Sequence, residues 1–561
     1  MGSTRVPTVG ESRRPECIEP PSISLNGEQD PQAKVRQKVS MSAEAAAIPV
    51  VSAVQPRRFG LNLVTNVGQL ALTMMVGVLY VPFLVTHLGP AVYGLVPLIS
   101  MVTSYMALMT LGLNSAIGRS LMIALGQEDH KQANLIFNVA FSANLALSAL
   151  LLIPAGIAIA NVDQIIRIPP GYESAARWLF AGTIAAFLLN QVKIPFTGGP
   201  FFRNRLDLAN LVAVCETLTR VGLVVCLFTI ATPRVEYIGM GILLGTVVST
   251  VGMIKLWKVL TPTLRIELGQ FDWKLLRKMC CTASWVVISQ LGLMLYLNID
   301  LLLANRLFGP EQGGRYAAVL QLPILLRSLA YAVGGIFPPT MYQLYARGEI
   351  GELVKYLNGG IKFLGLVMAL SIGLVCGFSE PLLRLWLGPA FSNLAPLLFV
   401  MAIHLVANLS VYPLYAVPLA ADRVRTQGLV AVAVGVGNLL LALFLAKVCG
   451  WGLYGLAAAG AIMLTIRYFL FMPLYAARIV KQPYGTFFKP VLPTILGTVV
   501  MIGLCKLILW HWTISNWFEL GLAAAAVSLI FCPLVYFLLA PQERGTLREA
   551  IVRFQKGSSV V

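Results

Sequence analysis

Between Phe59 and Ala540 the chain is a succession of apolar runs, each near the roughly 20 residues that an α-helix needs to cross a bilayer. No other feature restricts the fold as much, because a backbone in lipid has to satisfy its own N–H and C=O groups. Hydrophobic residues make up 57% of the chain and charged ones 12%, against about 25% charged in soluble domains. The alternating ten-residue strands of a membrane barrel are absent. The expected fold is an all-α polytopic membrane protein of about 14 transmembrane helices. Their approximate spans are 59–87, 92–117, 134–160, 175–194, 208–231, 236–257, 280–306, 313–337, 359–379, 393–418, 425–447, 452–475, 490–510 and 517–539. Pro82, Pro97, Pro154, Pro323, Pro413 and Pro473 fall in or near these runs, a placement membranes tolerate where neighbouring helices satisfy the freed groups.

Lysine and arginine set the orientation. With the N-terminus cytoplasmic, the tails and turns on that side hold 31 Lys and Arg and the opposite turns 7. That asymmetry favours an even helix number with both ends inside. The net charge of +18 thus reads as topology and contact with anionic lipid, not as nucleic-acid binding. Residues 1–58, rich in Ser, Pro, Gln, Glu and Arg, read as a disordered cytoplasmic tail. The nine cysteines are scattered and His87, His130, His404 and His511 lack ligand spacing, so no metal or cofactor is expected. Neither a G-x-x-x-x-G-K-[ST] loop nor an H-E-x-x-H motif occurs. The short outer turns leave no reaction chamber for a membrane enzyme, and no catalytic residue is assigned.

An internal repeat organises the rest. Leu88-Gly89-Pro90 returns as Phe308-Gly309-Pro310, Tyr93 as Tyr316, and Ala124-Leu125-Gly126 as Ala346-Arg347-Gly348, at offsets of 220 to 223 residues. Six helices separate the copies, so both insert the same way up, related by an axis along the membrane normal. The expected division is an N-terminal lobe at 59–257, a basic amphipathic linker at 258–279 on the cytoplasmic leaflet, and a C-terminal lobe at 280–477. Two further helices follow at 478–540, then a cytoplasmic tail at 541–561.

Several motifs, in this order, resemble the polysaccharide transporters of the MOP flippase superfamily, the O-antigen and exopolysaccharide flippases. They are Gly89-Pro90-x-x-Tyr93-Gly94, Asn298-Ile-Asp300 leading to Phe308-Gly309, Leu322-Pro323-x-Leu-Leu-Arg327, Arg347-Gly-Glu349 and Leu387-Gly388 near Arg384. The resemblance spans about residues 59–540. It implies translocation of undecaprenyl-diphosphate-linked oligosaccharides from the cytoplasmic to the periplasmic leaflet of a bacterial inner membrane, by alternating access. It implies as partners the lipid-linked oligosaccharide, the bilayer and the polysaccharide assembly machinery. The long N-terminal tail departs from the family pattern.

The residues themselves supply the site candidates. Charges at membrane depth are costly and usually face a cavity. Arg327 leads, since a guanidinium fork suits diphosphate oxygens; Asp300, on the preceding helix, is expected to hold Arg327 or to carry a coupling proton or ion. Arg306 reads as a snorkelling residue at the outer headgroups. Glu216 and Arg220 stand at i, i+4 and can pair along one helix. Arg467 has no evident partner, and Arg119 and Lys193 sit at cytoplasmic helix ends. Asn62, Asn66 and Gln69 on the first helix, with Gln290 and Asn298 on the seventh, suit either sugar hydroxyls or interhelical hydrogen bonds. The rival function is a multidrug or cation antiporter of the same superfamily. The excess of deep arginine over free carboxylate favours an anionic cargo.

Overall fold

A computed structural model describes residues 56–538 except Glu128, Leu268, Gln270 and Asp422. The expected tails lie outside the described residues, apart from 56–58, which open the first helix. Fourteen long helices follow one another. They are α1 (Pro56–Leu88), α2 (Leu95–Gly126), α3 (His130–Ala160), α4 (Glu173–Lys193), α5 (Leu206–Ile230), α6 (Glu236–Leu260) and α7 (Trp273–Phe308). Then come α8 (Pro310–Gly334), α9 (Ile350–Gly377), α10 (Pro389–Ser410), α11 (Val424–Val448), α12 (Gly452–Ile479), α13 (Leu492–His511) and α14 (Trp517–Leu538). Thirteen stretches among the described residues are long and apolar enough to cross a membrane, and α14 adds a shorter apolar run. The chain is a multi-pass membrane protein.

One boundary and one helix interior depart from expectation. α7 begins at Trp273, because Asp272 accepts hydrogen bonds from the backbone N–H of Lys274 and Leu275 and caps the helix there. Of the basic residues expected in a surface-lying linker helix, Lys258 therefore belongs to the last turn of α6, Lys274, Arg277 and Lys278 to the first turns of α7, and Arg265 to the connection. Between them, residues 265–267 are clipped to α3: Asn134 Oδ1 accepts from Arg265 N–H, and Asn138 accepts from Glu267 N–H while donating to Arg265 C=O. α12 contains a π-helical segment, Ile466–Phe471, directly before Pro473, whose missing N–H interrupts the regular ladder.

Three helix junctions share one geometry. Gly89, Gly309 and Gly388 have φ of 77°, 90° and 102° with ψ of 159°, 173° and 168°, a region open essentially to glycine alone. Each is followed by a proline at the first position of the next helix, where the lost N–H is no handicap. The chain thus reverses direction with almost no loop.

The neighbour pattern of the first six helices recurs in the next six. α1 packs on α5, α2 on α3 and α4, and α6 on α4 and α5; then α7 packs on α11, α8 on α9 and α10, and α12 on α10 and α11. α2 meets α7, and α1 meets α8. Glycines permit the closest approaches. A Cβ at Gly94 would fall 2.8 Å from Gly314 Cα, one at Gly77 would fall 2.9 Å from Gln321 Nε2, and one at Gly314 would overlap the Pro90 carbonyl. α13 lies along α9 where Gly373 and Gly377 face Met501 and Cys505, the small-residue seam that holds membrane helices together in place of a hydrophobic driving force.

The cores differ between the two ends. At the end bearing the Gly-Pro turns, one apolar cluster draws on both sets of six: Leu84, Leu95, Leu98 and Phe180 from the first, Ala304, Tyr316, Leu383 and Leu398 from the second. Trp386 adds a hydrogen bond to Val78 C=O at 2.6 Å. At the opposite end there are two clusters. One joins Ile117, Phe137, Phe196 and Trp257; the other joins Met341, Leu357, Val417 and Met472. The buried apolar core is shared by the two sets at the Gly-Pro end and divided between them at the other, where the start of α7, at Leu275 and Leu276, packs against the first set.

Candidate functional site

Leu322, Leu326 and Ala330 bury one side of α8, which leaves Arg327 half-buried on another. Arg327 makes no hydrogen bond or ion pair with another described residue. Its charge is felt by Asp300, Tyr316, Tyr331 and His404, which places it among α7, α8 and α10. His404, given no role from the sequence, accepts from Asn408 Nδ2 through Nδ1 at 2.9 Å, and Asn408 also donates to Thr465 Oγ1 at 3.3 Å.

Asp300 does not hold Arg327. The carboxylate is buried, and it accepts from Asn438 Nδ2 of α11 at 2.9 Å. A Cβ at Gly460 of α12 would fall 2.9 Å from its Oδ2. The acid thus turns towards α11 and α12 instead of α8. Asn438 went unnoticed in the sequence, because its only mark is a polar residue within an apolar run.

Arg467 has partners after all, and they are phenols. It donates to Tyr296 Oη and lies 4.8 Å from the centre of the Tyr296 ring and 5.3 Å from that of Tyr468. Tyr296 and Tyr468 share a hydrogen bond of 2.7 Å. The residue is buried on the π-helical segment of α12, and its cation is taken up by aromatic faces.

In the first set of helices the expected Glu216–Arg220 pair is replaced by another. Lys193 Nζ lies 3.7 Å from Glu216 and donates to Ser249 Oγ at 2.8 Å, so Lys193 is buried in an internal pair and does not extend to the surface. Gly241 and Gly245 of α6 bring the two helices together, since side chains there would meet the backbone of Arg220 and Glu216. Arg220 Nε is buried without a hydrogen-bond partner, within electrostatic reach of Tyr80. Lys193→Met should lower stability by on the order of 2 kcal/mol by stranding Glu216. The double change Lys193→Met/Glu216→Gln should recover most of it, read by thermal unfolding of purified protein.

The remaining candidates separate. Asn62 is structural: it donates to Asn204 and accepts from Asp207 N–H, tying α1 to α5. Asn66 is exposed; Gln69, Gln290 and Asn298 are half-buried, and their side chains make no hydrogen bond with another described residue. The side chain of Arg119 lies outside the described residues. Arg306 donates to Ile165 C=O at 2.8 Å, beside the Asn305–Arg167 contacts that fasten α7 to the turn after α3.

Residues 63–344 match the family described as polysaccharide biosynthesis protein. The chain belongs to that family. It is similar throughout to the uncharacterized membrane protein EpsK of Bacillus subtilis (strain 168), with 30% identity over 504 residues, 90% of this chain and 99% of that one. Among solved structures it resembles the lipid II flippase MurJ in an inward closed conformation, with a TM-score of 0.58 at 16% identity, covering 85% of this chain and 98% of that one. It also resembles an inward-facing multidrug resistance MATE family transporter of the MOP superfamily, with a TM-score of 0.56 at 15% identity, covering 79% and 99%. The family member described here thus shares its fold with these two transporters, as its motifs lead one to expect. Two arginines of the helix interiors that make no ion pair among the described residues, Arg327 on α8 and Arg220 on α5, stand one in each set of six helices.

Proposed function

We propose that this protein carries a lipid-linked oligosaccharide, joined through a diphosphate to a polyprenyl chain such as undecaprenyl, from the cytoplasmic to the outer leaflet. The two sets of six helices, residues 59–257 and 280–477, rock against each other, and α13 and α14 ride on the second. The observation that carries the reading is Arg327: a guanidinium at membrane depth that makes no ion pair among the described residues, on a helix that joins both halves. An anionic head group satisfies such a site, and the fork of the guanidinium fits diphosphate oxygens. Lys and Arg put the end with the divided core on the cytoplasmic side, where the cargo is made. Asp300, held by Asn438 away from Arg327, is the group best placed to take a coupling proton or cation.

The same Asp300 favours a second reading, since a buried carboxylate without an ion-pair partner suits a cation antiporter. A strain lacking this protein separates the two. Lipid-linked oligosaccharides should accumulate on its cytoplasmic leaflet and clear when the wild-type chain returns. Unchanged glycan export with raised sensitivity to cationic drugs would instead establish the antiporter.

A further inference from the structure

Below Arg327 the second half carries a run of tyrosines that the phosphate site does not use. Tyr331 follows Arg327 by one turn of α8, so the two share a helix face. Its ring centre lies 5.1 Å from that of Tyr412, Tyr412 lies 5.9 Å from Tyr415, and Tyr415 lies 5.2 Å from Tyr468. Gly334 makes room, since any side chain there would overlap the Tyr412 ring. Tyr331 is 40% exposed, and Tyr412, Tyr415 and Tyr468 are half-buried.

The hydroxyls of Tyr331 and Tyr412 meet no hydrogen-bond partner among the described residues, and that of Tyr415 is buried with only the neighbouring Tyr468 phenol within reach. A buried phenol ordinarily finds a partner, so an unmet one invites a ligand that brings hydroxyls of its own. Only the far end is tied down, where Arg467 and Tyr296 hold Tyr468.

We propose that Tyr331, Tyr412 and Tyr415 form a stacking surface for the sugar rings of the cargo, a proposal that rests on the lipid-linked-glycan reading above. The apolar C–H face of a pyranose lies on an aromatic ring, while the phenolic hydroxyls take its equatorial hydroxyls. Arg327 meets the diphosphate at one end, and Arg467 is a positioning residue that fixes the other end of the tyrosine run. Stacking tolerates many sugars, which suits a carrier that moves a repeat unit of several.

The test measures binding to the purified chain in nanodiscs. The probes are bare undecaprenyl diphosphate and the lipid-linked oligosaccharide pool extracted from host cells lacking this protein. Wild type should bind the glycosylated lipid about tenfold tighter than the bare one. Tyr331→Leu and Tyr412→Leu should lose that preference yet keep their affinity for bare undecaprenyl diphosphate, and Tyr331→Phe should keep most of the preference. Tyr331 is exposed enough for its variants to fold, which unchanged melting will verify. Leucine variants with full preference, or a wild type that does not distinguish the lipids, would overturn the stacking surface and leave the carrier reading standing. A wild type that binds neither lipid would overturn both.

Discussion

Arg327→Ala is expected to reduce transfer of lipid-linked oligosaccharide by about 10- to 100-fold. A hydrogen bond to a charged group contributes about 1.5–3 kcal/mol, and the guanidinium has no hydrogen-bond or ion-pair partner among the described residues to fall back on. Arg327→Lys should keep part of the activity, because the charge remains while the two-pronged geometry is lost. Export is compared at equal amounts of membrane-inserted protein. Asp300 bonds to Asn438 and not to Arg327. Asp300→Asn combined with Arg327→Gln should therefore give additive losses and no rescue; a double variant more active than either single one would restore the ion pair first expected from the sequence.

Gly314→Val should have an effect as large by a different route. The new side chain would collide with the Pro90 carbonyl, and Gly314 Cα already stands 2.8 Å from where a Cβ on Gly94 would be. Both obstacles are backbone, so the strain cannot be relieved by a rotamer change. Overpacking of this kind costs on the order of 1–3 kcal/mol, and here the cost falls only on the state closed at the Gly-Pro end. The variant should be displaced from the closed state, with transfer lost although the protein still folds. Spin labels at Tyr172 and Glu311, in a cysteine-free background, report the change: the distance distribution should lengthen in Gly314→Val. An unchanged distribution would mean that this glycine contact does not govern closure.

Much of the architecture was legible because lipid imposes it. Apolar length marked each helix, Gly-Pro marked each sharp reversal, and charge depth singled out Arg327. What stayed hidden was the rotation of each helix about its own axis. Spacing along α5 put Arg220 within reach of Glu216, but the packing of α4 and α6 delivered Lys193 and Ser249 instead. Proximity in sequence suggested Arg327 for Asp300, whereas α11 supplied Asn438. Arg467 looked solitary because its neighbours come from α7 and from a π-helical register that no periodicity rule assumes. The tyrosines come from distant stretches of sequence and meet only when α8, the 3-10 turn after α10 (Tyr412–Tyr415) and α12 pack.

The most direct measurement is leaflet transfer in proteoliposomes holding the purified chain and lipid-linked oligosaccharide in both leaflets. A glycan-directed reagent supplied outside reads the fraction accessible over time. Accessibility should rise beyond the outer-leaflet fraction with wild type and stay near that fraction with Arg327→Ala. Equal, slow exposure in vesicles with wild type, with the variant and with no protein would contradict it.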